Sequence, residues 1–270
     1  MKYKIIFSDF DGTVSRSDNT VSDRVKDAIR RYVNAGGKFV LATGRLFSAV
    51  RPRARELGLH GEVIVYQGGG IYDLDSGKAL YLNTIPTRQA AALLKELEKP
   101  DYCENLCYFN DECNCARHSE YVDYFCQICG VPYHSVDMPL SKYIEQNGIE
   151  PVKILSLMMP EHTDEFLEYG RRAAGSGMVF TRSHKSVVEI LPSGINKGAA
   201  VERICKHFGV DRSEIIALGD SENDASMLEY AGLGIAAGNA MPALKAVADA
   251  VGVTNDEDFV AWVIDNYALK

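Results

Sequence analysis

Residues 4–13 read KIIFSDFDGT, and this stretch indicates how the chain begins to fold. Its apolar first half, Lys4–Ser8, has the pattern of a short strand buried on both faces, which is typical of a parallel sheet. Asp9 and Asp11 follow two residues apart, so an extended backbone projects both carboxylates to the same side. Gly12 allows a tight turn directly after them. Open α/β sheets bind ligands at the carboxyl ends of their strands, so the two acids predict either a site there or a solvated turn.

Strand and helix patterns alternate through the first third of the chain. Ser22 is a suitable N-cap for a helix that ends at Gly36–Gly37. A second strand is expected at Lys38–Ala42, a second helix at Arg45–Leu57 and a third strand at Glu62–Tyr66. This alternation predicts a parallel sheet whose crossover connections are right-handed.

The last third of the chain resumes the same alternation. Asn196 is positioned to cap a helix that Gly209 ends, and Ile215–Leu218 follows as a buried strand. A further short strand is expected at Leu233–Ala236. The first and last thirds of the chain therefore share one pattern of alternating strands and helices.

The middle of the chain has a different pattern. A hairpin-like stretch turns at Asp75–Gly77, a helix is expected around Leu93–Leu97, and strands are expected at Val152–Met159 and Met178–Thr181. We therefore predict an α/β fold, in which a Rossmann-like parallel-sheet core is formed by residues 1–85 and 186–270, and residues 86–185 are inserted as an α+β cap domain.

Composition and charge exclude several classes of protein. Hydrophobic residues make up 46% of the 270 residues, which argues against disorder, and no apolar run approaches the ~18 residues of a membrane helix. Lys and Arg number 29 against 37 Asp and Glu, and the net charge of −8 predicts that the protein binds no nucleic acid. The opening apolar stretch is too short for a signal peptide, so we expect a cytoplasmic protein with reduced thiols.

A second acidic segment, Gly219–Asp224, follows the strand predicted at Ile215–Leu218. If a helix starts near Ser221, the carboxylates of Asp220 and Asp224 both lie at its N-terminal end. Hard oxygen ligands that converge from two strand ends suit a small cation such as Mg²⁺. The alternative is a capped helix start, where acids are favoured by the helix dipole alone.

Two further segments have the chemistry of an anion site. Thr43 and Gly44 offer a hydroxyl and backbone N–H groups at a predicted helix N-terminus, although such pairs are common. Lys197 stands in the first turn of a predicted helix, where a cation opposes the dipole. Either its side chain is simply exposed, or an anion lies opposite it.

Together the four segments resemble, in order and spacing, the motifs of the haloacid dehalogenase-like phosphohydrolases. The similarity is to the Cof-type branch, whose members carry a large α+β cap, and it extends over the whole chain. The matching stretches are Asp9–Thr13, Leu41–Arg45, Gly194–Gly198 and Gly219–Met227. The resemblance implies an Mg²⁺-dependent phosphatase that acts on a small phosphorylated metabolite, with sugar phosphates as the favoured class.

The resemblance also implies roles for the acidic residues. Asp9 would be the nucleophile that forms an aspartyl-phosphate, and Asp11 would be the general acid and then the general base. Mg²⁺ would be bound by the Asp9 carboxylate, the Asp11 backbone carbonyl and Asp220. Asp224 would either bind the metal directly or contact the residues that bind it. Asp11 distinguishes phosphoryl transfer from dehalogenation, because the dehalogenases of this superfamily lack that acid.

The phosphate group would be bound by residues from all four motifs. Lys197 would also offset the charge of Asp9, and Asn223 would contact the phosphate or support Lys197. The residues implied as phosphate ligands are Gly12, Thr43, Gly44, Lys197 and Asn223.

Several positions stay without an assigned role. Cof-type members often carry Asn-Gly-Ala after the third strand, whereas this chain has Gln67 followed by Gly68–Gly69. Near the return from the inserted region to the core, Ser183, His184 and Glu189 are candidates to face the active site. The oligomeric state is not predicted.

Two other functions compete with the phosphatase. A phosphomutase would need extra basic contacts for a second phosphate, for which Arg117, Lys142 and Lys153 are scattered candidates. A binding regulator without catalysis would show degraded motifs, whereas every expected carboxylate is present.

Six of the seven cysteines lie between Cys103 and Cys129. Their spacing matches no standard zinc ribbon or finger. Cys126 and Cys129 also fall on one helical stripe with Val122, so we expect packing, with zinc binding, a redox role or contact with the substrate as alternatives.

Overall fold

The computed structural model describes the backbone of all 270 residues and every side chain except those of Ile128, Cys129, Ser176, Ser183 and His184. The chain forms two compact units. The core unit comprises Met1–Arg45, Val50–Tyr81 and Asn196–Lys270, and the inserted unit comprises Leu46–Ala49 and Leu82–Ile195.

Strands and α-helices account for most of the ordered elements in both units. The strands are β1 (Ile5–Ser8), β2 (Lys38–Leu41), β3 (Glu62–Val65), β4 (Gly70–Asp73), β5 (Ala79–Leu82), β6 (Cys103–Phe109), β7 (Glu112–Cys115), β8 (Tyr133–Ser135), β9 (Lys153–Met158), β10 (Met178–His184), β11 (Val187–Pro192), β12 (Ile215–Gly219), β13 (Leu233–Ala236) and β14 (Ala250–Val251). The α-helices are α1 (Asp23–Asn34), α2 (Phe47–Glu56), α3 (Thr87–Leu97), α4 (Glu120–Cys129), α5 (Leu140–Asn147), α6 (Thr163–Ala174), α7 (Lys197–Phe208), α8 (Ala225–Tyr230), α9 (Pro242–Val247) and α10 (Phe259–Val263).

The core unit is built on a parallel sheet in the order β14-β13-β12-β1-β2. β1 lies between β12 and β2, so that Phe7 pairs with Ala217 on one side and Val40 on the other. All three residues are completely buried, because helices cover a sheet of this kind on both faces. The predicted α/β core is confirmed, and it brings the carboxyl ends of β1, β2 and β12 to one edge.

The third predicted strand pairs differently from the expectation. β3 runs antiparallel to β4 in a small sheet, β3-β4-β5, and a single parallel bridge joins Ala42 to Ile64. The reason is local, because the backbone turns sharply at Tyr66–Gly68 and returns alongside β3. The expected third parallel strand is therefore the first strand of a hairpin.

The inserted unit contains a mixed sheet in the order β10-β11-β9-β6-β7-β8. Leu94 of α3, Ile144 of α5 and Phe166 of α6 pack with Ile154 and Ile190 of the sheet in one apolar cluster. This is the expected α+β architecture. The boundary differs from the prediction of core sequence from residue 186 onward, because β11 pairs antiparallel with β9 and β10.

The cysteine-rich segment is largely explained by packing. α4 forms where the helical stripe predicted it, and Val122 and Cys126 are buried, whereas the side chain of Cys129 lies outside the described residues. Cys107 and Cys113 are also buried as free thiols, and burial raises the pKa of Cys107. Among the described side chains, no cysteine belongs to a cluster of three potential metal ligands.

No helix in the described part of the chain has the length and apolar character needed to span a membrane. The cytoplasmic location stays a prediction.

Candidate active site

Asp9 directly extends β1 at the carboxyl edge of the parallel sheet. Its backbone N–H donates to the carbonyl of Leu218, 2.9 Å away, which continues the pairing with β12. Asp9 is buried, whereas the side chain of Asp11 is about half exposed. One side chain is thus enclosed by the core unit, and the other is partly exposed to solvent.

Gly12 brings the two acidic segments into contact. Its φ of +73° is a left-handed conformation that glycine adopts readily. A Cβ at this position would lie 2.6 Å from Oδ2 of Asp220. The hydroxyl of Thr13 donates to Oδ1 of the same carboxylate at 3.0 Å. A side chain at Gly12 would therefore displace Asp220.

Lys197 is the first residue of α7 and is completely buried. The Asn196 side chain caps the helix by accepting from the N–H of Ala199 at 2.8 Å. The Lys197 ammonium donates to Oδ1 of Asp9 at 2.7 Å and to Oδ1 of Asp224 at 2.6 Å. These two carboxylates raise the pKa of Lys197 although burial lowers it. The anion predicted opposite this lysine is thus supplied by the protein itself.

The segment after β12 turns tightly around the Asp224 carboxylate. Oδ2 of Asp224 accepts from the N–H groups of Asp220 and Ser221, both at 3.0 Å. A 3₁₀ turn, Glu222–Asp224, precedes α8, so the helix begins close to the predicted position. Both oxygens of Asp224 are therefore engaged by protein donors, while the Asp220 carboxylate accepts from the hydroxyls of Thr13 and Ser221.

The charges around Lys197 do not balance. Asp9, Asp220 and Asp224 each place a carboxylate oxygen within 4.8 Å of those of the other two. The pKa of Asp9 is raised by burial, against the attraction of Lys197, and the pKa of Asp220 is raised by burial and by Asp224. One ammonium faces three crowded carboxylates, so a bound divalent cation would offset the remaining repulsion. The donors are hard oxygens, as Mg²⁺ requires.

Thr43 and Arg45 follow β2 at the same edge. Thr43 is buried, and its hydroxyl accepts from the backbone N–H of Arg45 at 3.2 Å. The Arg45 guanidinium binds the Asp11 carboxylate with two hydrogen bonds, of 2.8 Å from Nε and 2.7 Å from the terminal nitrogen. No role was predicted for Arg45, although its place directly after Thr43 and Gly44 indicates that it lies near the same site.

Gln67, for which no role was predicted either, also lies at this site. Its Oε1 accepts from Nδ2 of Asn223 at 2.9 Å. Its Nε2 lies 2.5 Å from the position that a Cβ on Gly44 would occupy. Gln67 thus joins two of the segments implied as phosphate ligands.

A family model for haloacid dehalogenase-like hydrolases matches residues 6–264, which is nearly the whole chain. The chain belongs to the haloacid dehalogenase-like hydrolase family. The resemblance inferred from the four motifs is confirmed. The expectation that the protein is a hydrolase is confirmed with it.

Individual relatives of this hydrolase include phosphatases. In Bacillus subtilis, 5-amino-6-(5-phospho-D-ribitylamino)uracil phosphatase YwtE is 29% identical, with 97% of each chain covered. The crystal structure of a haloacid dehalogenase-like hydrolase from Bacteroides thetaiotaomicron has a TM-score of 0.88 at 28% identity, covering 97% of this chain and 98% of that one. An Arabidopsis thaliana protein named chloroplastic endoribonuclease YBEY is 29% identical over 99% of this chain, which spans 47% of that protein.

The remaining candidate residues belong to the inserted unit. Ser183 and His184 have side chains outside the described residues. Glu189 is buried and accepts from the Lys153 ammonium at 3.1 Å. Arg117 and Lys142, the other basic candidates for a second phosphate, are exposed.

Proposed function

We propose that this hydrolase is an Mg²⁺-dependent phosphatase that cleaves a small phosphorylated metabolite through a phosphorylated Asp9. The observation that carries the proposal is the buried Lys197 ammonium, which holds Asp9 and Asp224 at 2.7 and 2.6 Å beside Asp220. This arrangement fixes one oxygen of Asp9 and concentrates negative charge where a metal and a phosphate would meet.

The three carboxylates have different tasks in this proposal. Asp9 and Asp220 would hold Mg²⁺, together with the backbone carbonyl of Asp11. Asp224, whose oxygens are engaged by Lys197 and by two backbone N–H groups, would keep the lysine and the Asp220 turn in place. When bound, Mg²⁺ would neutralise charge on the transferring phosphoryl group.

Asp9 is the nucleophile of the proposed reaction. Lys197 engages its Oδ1, so the other oxygen, Oδ2, would attack phosphorus and the bond from phosphorus to the leaving oxygen would break. Asp11 would give a proton to that leaving oxygen. Asp11 would then take a proton from water as the water attacks phosphorus, which releases inorganic phosphate and restores Asp9.

Arg45 bears directly on the role of Asp11. Both oxygens of the Asp11 carboxylate accept hydrogen bonds from the Arg45 guanidinium, so in this arrangement both are engaged by the protein. Its action as an acid therefore requires that the ion pair loosens when the substrate binds. The hydroxyl of Thr43, the backbone at Gly12 and Gly44, Lys197 and Asn223 would bind the phosphate oxygens.

The proposal defines the substrate by its chemical class. One relative is named for a substrate that carries a phosphorylated ribityl chain, which supports a sugar or sugar-alcohol phosphate. We assign selection among such metabolites to the inserted unit, because the residues of the proposed chemistry all belong to the core unit.

The test is the release of inorganic phosphate from sugar phosphates, nucleotides and cofactor phosphates. We expect turnover with Mg²⁺, none after chelation, and inhibition by Ca²⁺, which prefers more ligands than Mg²⁺. Asp9→Asn, which keeps the shape of the side chain, should abolish turnover and leave the thermal melt cooperative. Substantial turnover by Asp9→Asn, or full activity in a metal-free protein, would contradict the mechanism.

A further inference from the structure

Gln67 has a backbone conformation that side-chain-bearing residues rarely adopt. Its φ and ψ are 58° and 27°, and Tyr66 before it also has a positive φ, of 52°. Residues held in such conformations cluster at ligand sites, where the surrounding structure enforces them. Here the N–H of Gln67 donates to the carbonyl of Thr43 at 3.0 Å, and that of Tyr66 to the carbonyl of Arg45 at 3.1 Å.

The same turn packs against the start of α7. Gly68 has a φ of +97°, and a Cβ there would lie 2.3 Å from the carbonyl oxygen of Asn196. The turn that carries Gln67 is therefore fixed by backbone contacts to two segments of the proposed phosphate site, one around Thr43–Arg45 and one beside Lys197.

The orientation of the Gln67 amide follows from its neighbours. Because Oε1 accepts from Nδ2 of Asn223, the amide nitrogen is at the opposite end of the group. That nitrogen lies next to Gly44, where the lack of a side chain leaves room for it. Gln67 is only partly buried, so a ligand can reach it. Oδ1 of Asn223, in turn, is a buried acceptor with no donor among the described residues, a state that is unusual away from functional sites.

We propose that Gln67 is a substrate-binding residue, whose amide nitrogen donates a hydrogen bond to an oxygen of the substrate's phosphate group, and that Asn223 orients the amide for this purpose. The inference rests on the proposed function, since it requires that the phosphate binds beside Asp9. An amide is a neutral donor that adds binding without adding charge. A glutamine here reaches farther than the asparagine common in Cof-type members, and the space above Gly44 accommodates the extra length.

The experiment compares two substitutions of nearly equal size. Gln67→Met removes the donor, and Gln67→Glu replaces it with a negative group. Gln146→Met, at an exposed position of α5, is the matched control. With p-nitrophenyl phosphate and Mg²⁺, we expect Gln67→Met to raise the inhibition constant of inorganic phosphate about 10-fold, as the loss of one hydrogen bond to a charged group does.

Gln67→Glu should weaken the binding of phosphate more than Gln67→Met does, because the glutamate also repels the anion. In the glutamate variant, KM should rise more than kcat falls. A merely structural role predicts the reverse order, since glutamate can keep the acceptor that Asn223 uses. Unchanged phosphate inhibition in both variants, or a glutamate variant that binds phosphate as well as the parent, would overturn the inference.

Failure of the proposed function gives a different result. In that case the parent protein itself releases no phosphate, and the same variants are compared by calorimetric titration with inorganic phosphate. Weaker binding of phosphate by both Gln67 variants than by Gln146→Met would then support Gln67 as a hydrogen-bond donor to phosphate. Equal binding by all three variants, or no binding by the parent protein, would overturn the inference.

Discussion

Lys197 lies in the first turn of α7, where the helix dipole disfavours a cation. Its environment explains why a lysine occupies this position, because the ammonium is completely buried between the Asp9 and Asp224 carboxylates. A buried ion pair of this kind contributes little as a whole, but removal of one partner leaves the other charges uncompensated. The lysine is thus most important for holding two acids close together.

Lys197→Met is the substitution that tests this role. We expect it to lower the free energy of unfolding by about 3 kcal/mol at neutral pH, because two buried carboxylates lose their counter-charge. Mg²⁺ should restore part of the loss, since the metal offsets the same carboxylates. Urea unfolding with and without Mg²⁺ measures both effects.

Lys206→Met provides the control on the same helix. Lys206 is exposed and pairs with Glu202 one turn away, so its loss should leave the unfolding curve and the phosphatase rate unchanged. Equal stability of the Lys197 and Lys206 variants would show that the ion pairs of Lys197 with Asp9 and Asp224 do not act as described.

At the scale of elements, the turn Tyr66–Gly68 connects β3 to β4 and positions the site. It contacts the segment after β2 through two backbone hydrogen bonds, and it contacts the start of α7 at Gly68. The parallel sheet alone brings β1, β2 and β12 to one edge. The hairpin adds Gln67 to that edge, so an element outside the main sheet completes the site.

Gly68→Ala tests the close approach of this turn to α7. The added Cβ meets backbone at 2.3 Å, which no rotamer change relieves, and φ is positive as well. Gly58→Ala is the matched control, because Gly58 also has a positive φ, of +68°, but nothing lies within 4 Å of its Cβ. We expect about 1 kcal/mol of destabilisation at Gly58 and at least about 2 kcal/mol more at Gly68.

Thermal and urea unfolding give the two values, and phosphate release gives the functional effect. Activity should fall in Gly68→Ala, since the turn moves with Gln67, and should persist in Gly58→Ala. Similar losses at the two glycines would mean that backbone conformation, and not the contact with α7, sets the requirement for glycine.

For the whole molecule, the division into two units places every residue of the proposed chemistry in one of them. The carboxylates, Lys197 and the residues around them all belong to the core unit. The inserted unit has its own apolar cluster and its own sheet. Contacts to the non-reacting part of a substrate supply binding energy that orients the reacting group, and they also select among substrates.

Replacement of Leu82–Ile195 by a flexible linker tests this division. We expect slow Mg²⁺-dependent hydrolysis of p-nitrophenyl phosphate to remain and the preference among natural phosphate esters to disappear. Circular dichroism and a cooperative melt must first establish that the shortened chain folds. A folded protein that keeps the parent's ranking of natural substrates would place selectivity in the core unit.

Local patterns in the sequence determined much of this protein. Apolar runs predicted β1, β2 and β12, and Ser22 and Asn196 cap the helices for which they were chosen. These features depend on neighbouring residues, so a single sequence reveals them. The acids at the strand ends were found for the same reason, because a parallel sheet places the carboxyl ends of its strands together.

Only the tertiary structure decided which of these side chains pair and where the inserted unit ends. Arg45 pairs with Asp11 from 34 residues away, and Gln67 contacts Asn223 from 156 residues away. Likewise, no strand was predicted at Val187–Pro192, and the register of β11 with β9 assigns this segment to the inserted unit. Such contacts join residues that are distant in sequence, and their geometry depends on how the whole chain packs, which no local pattern of residues specifies.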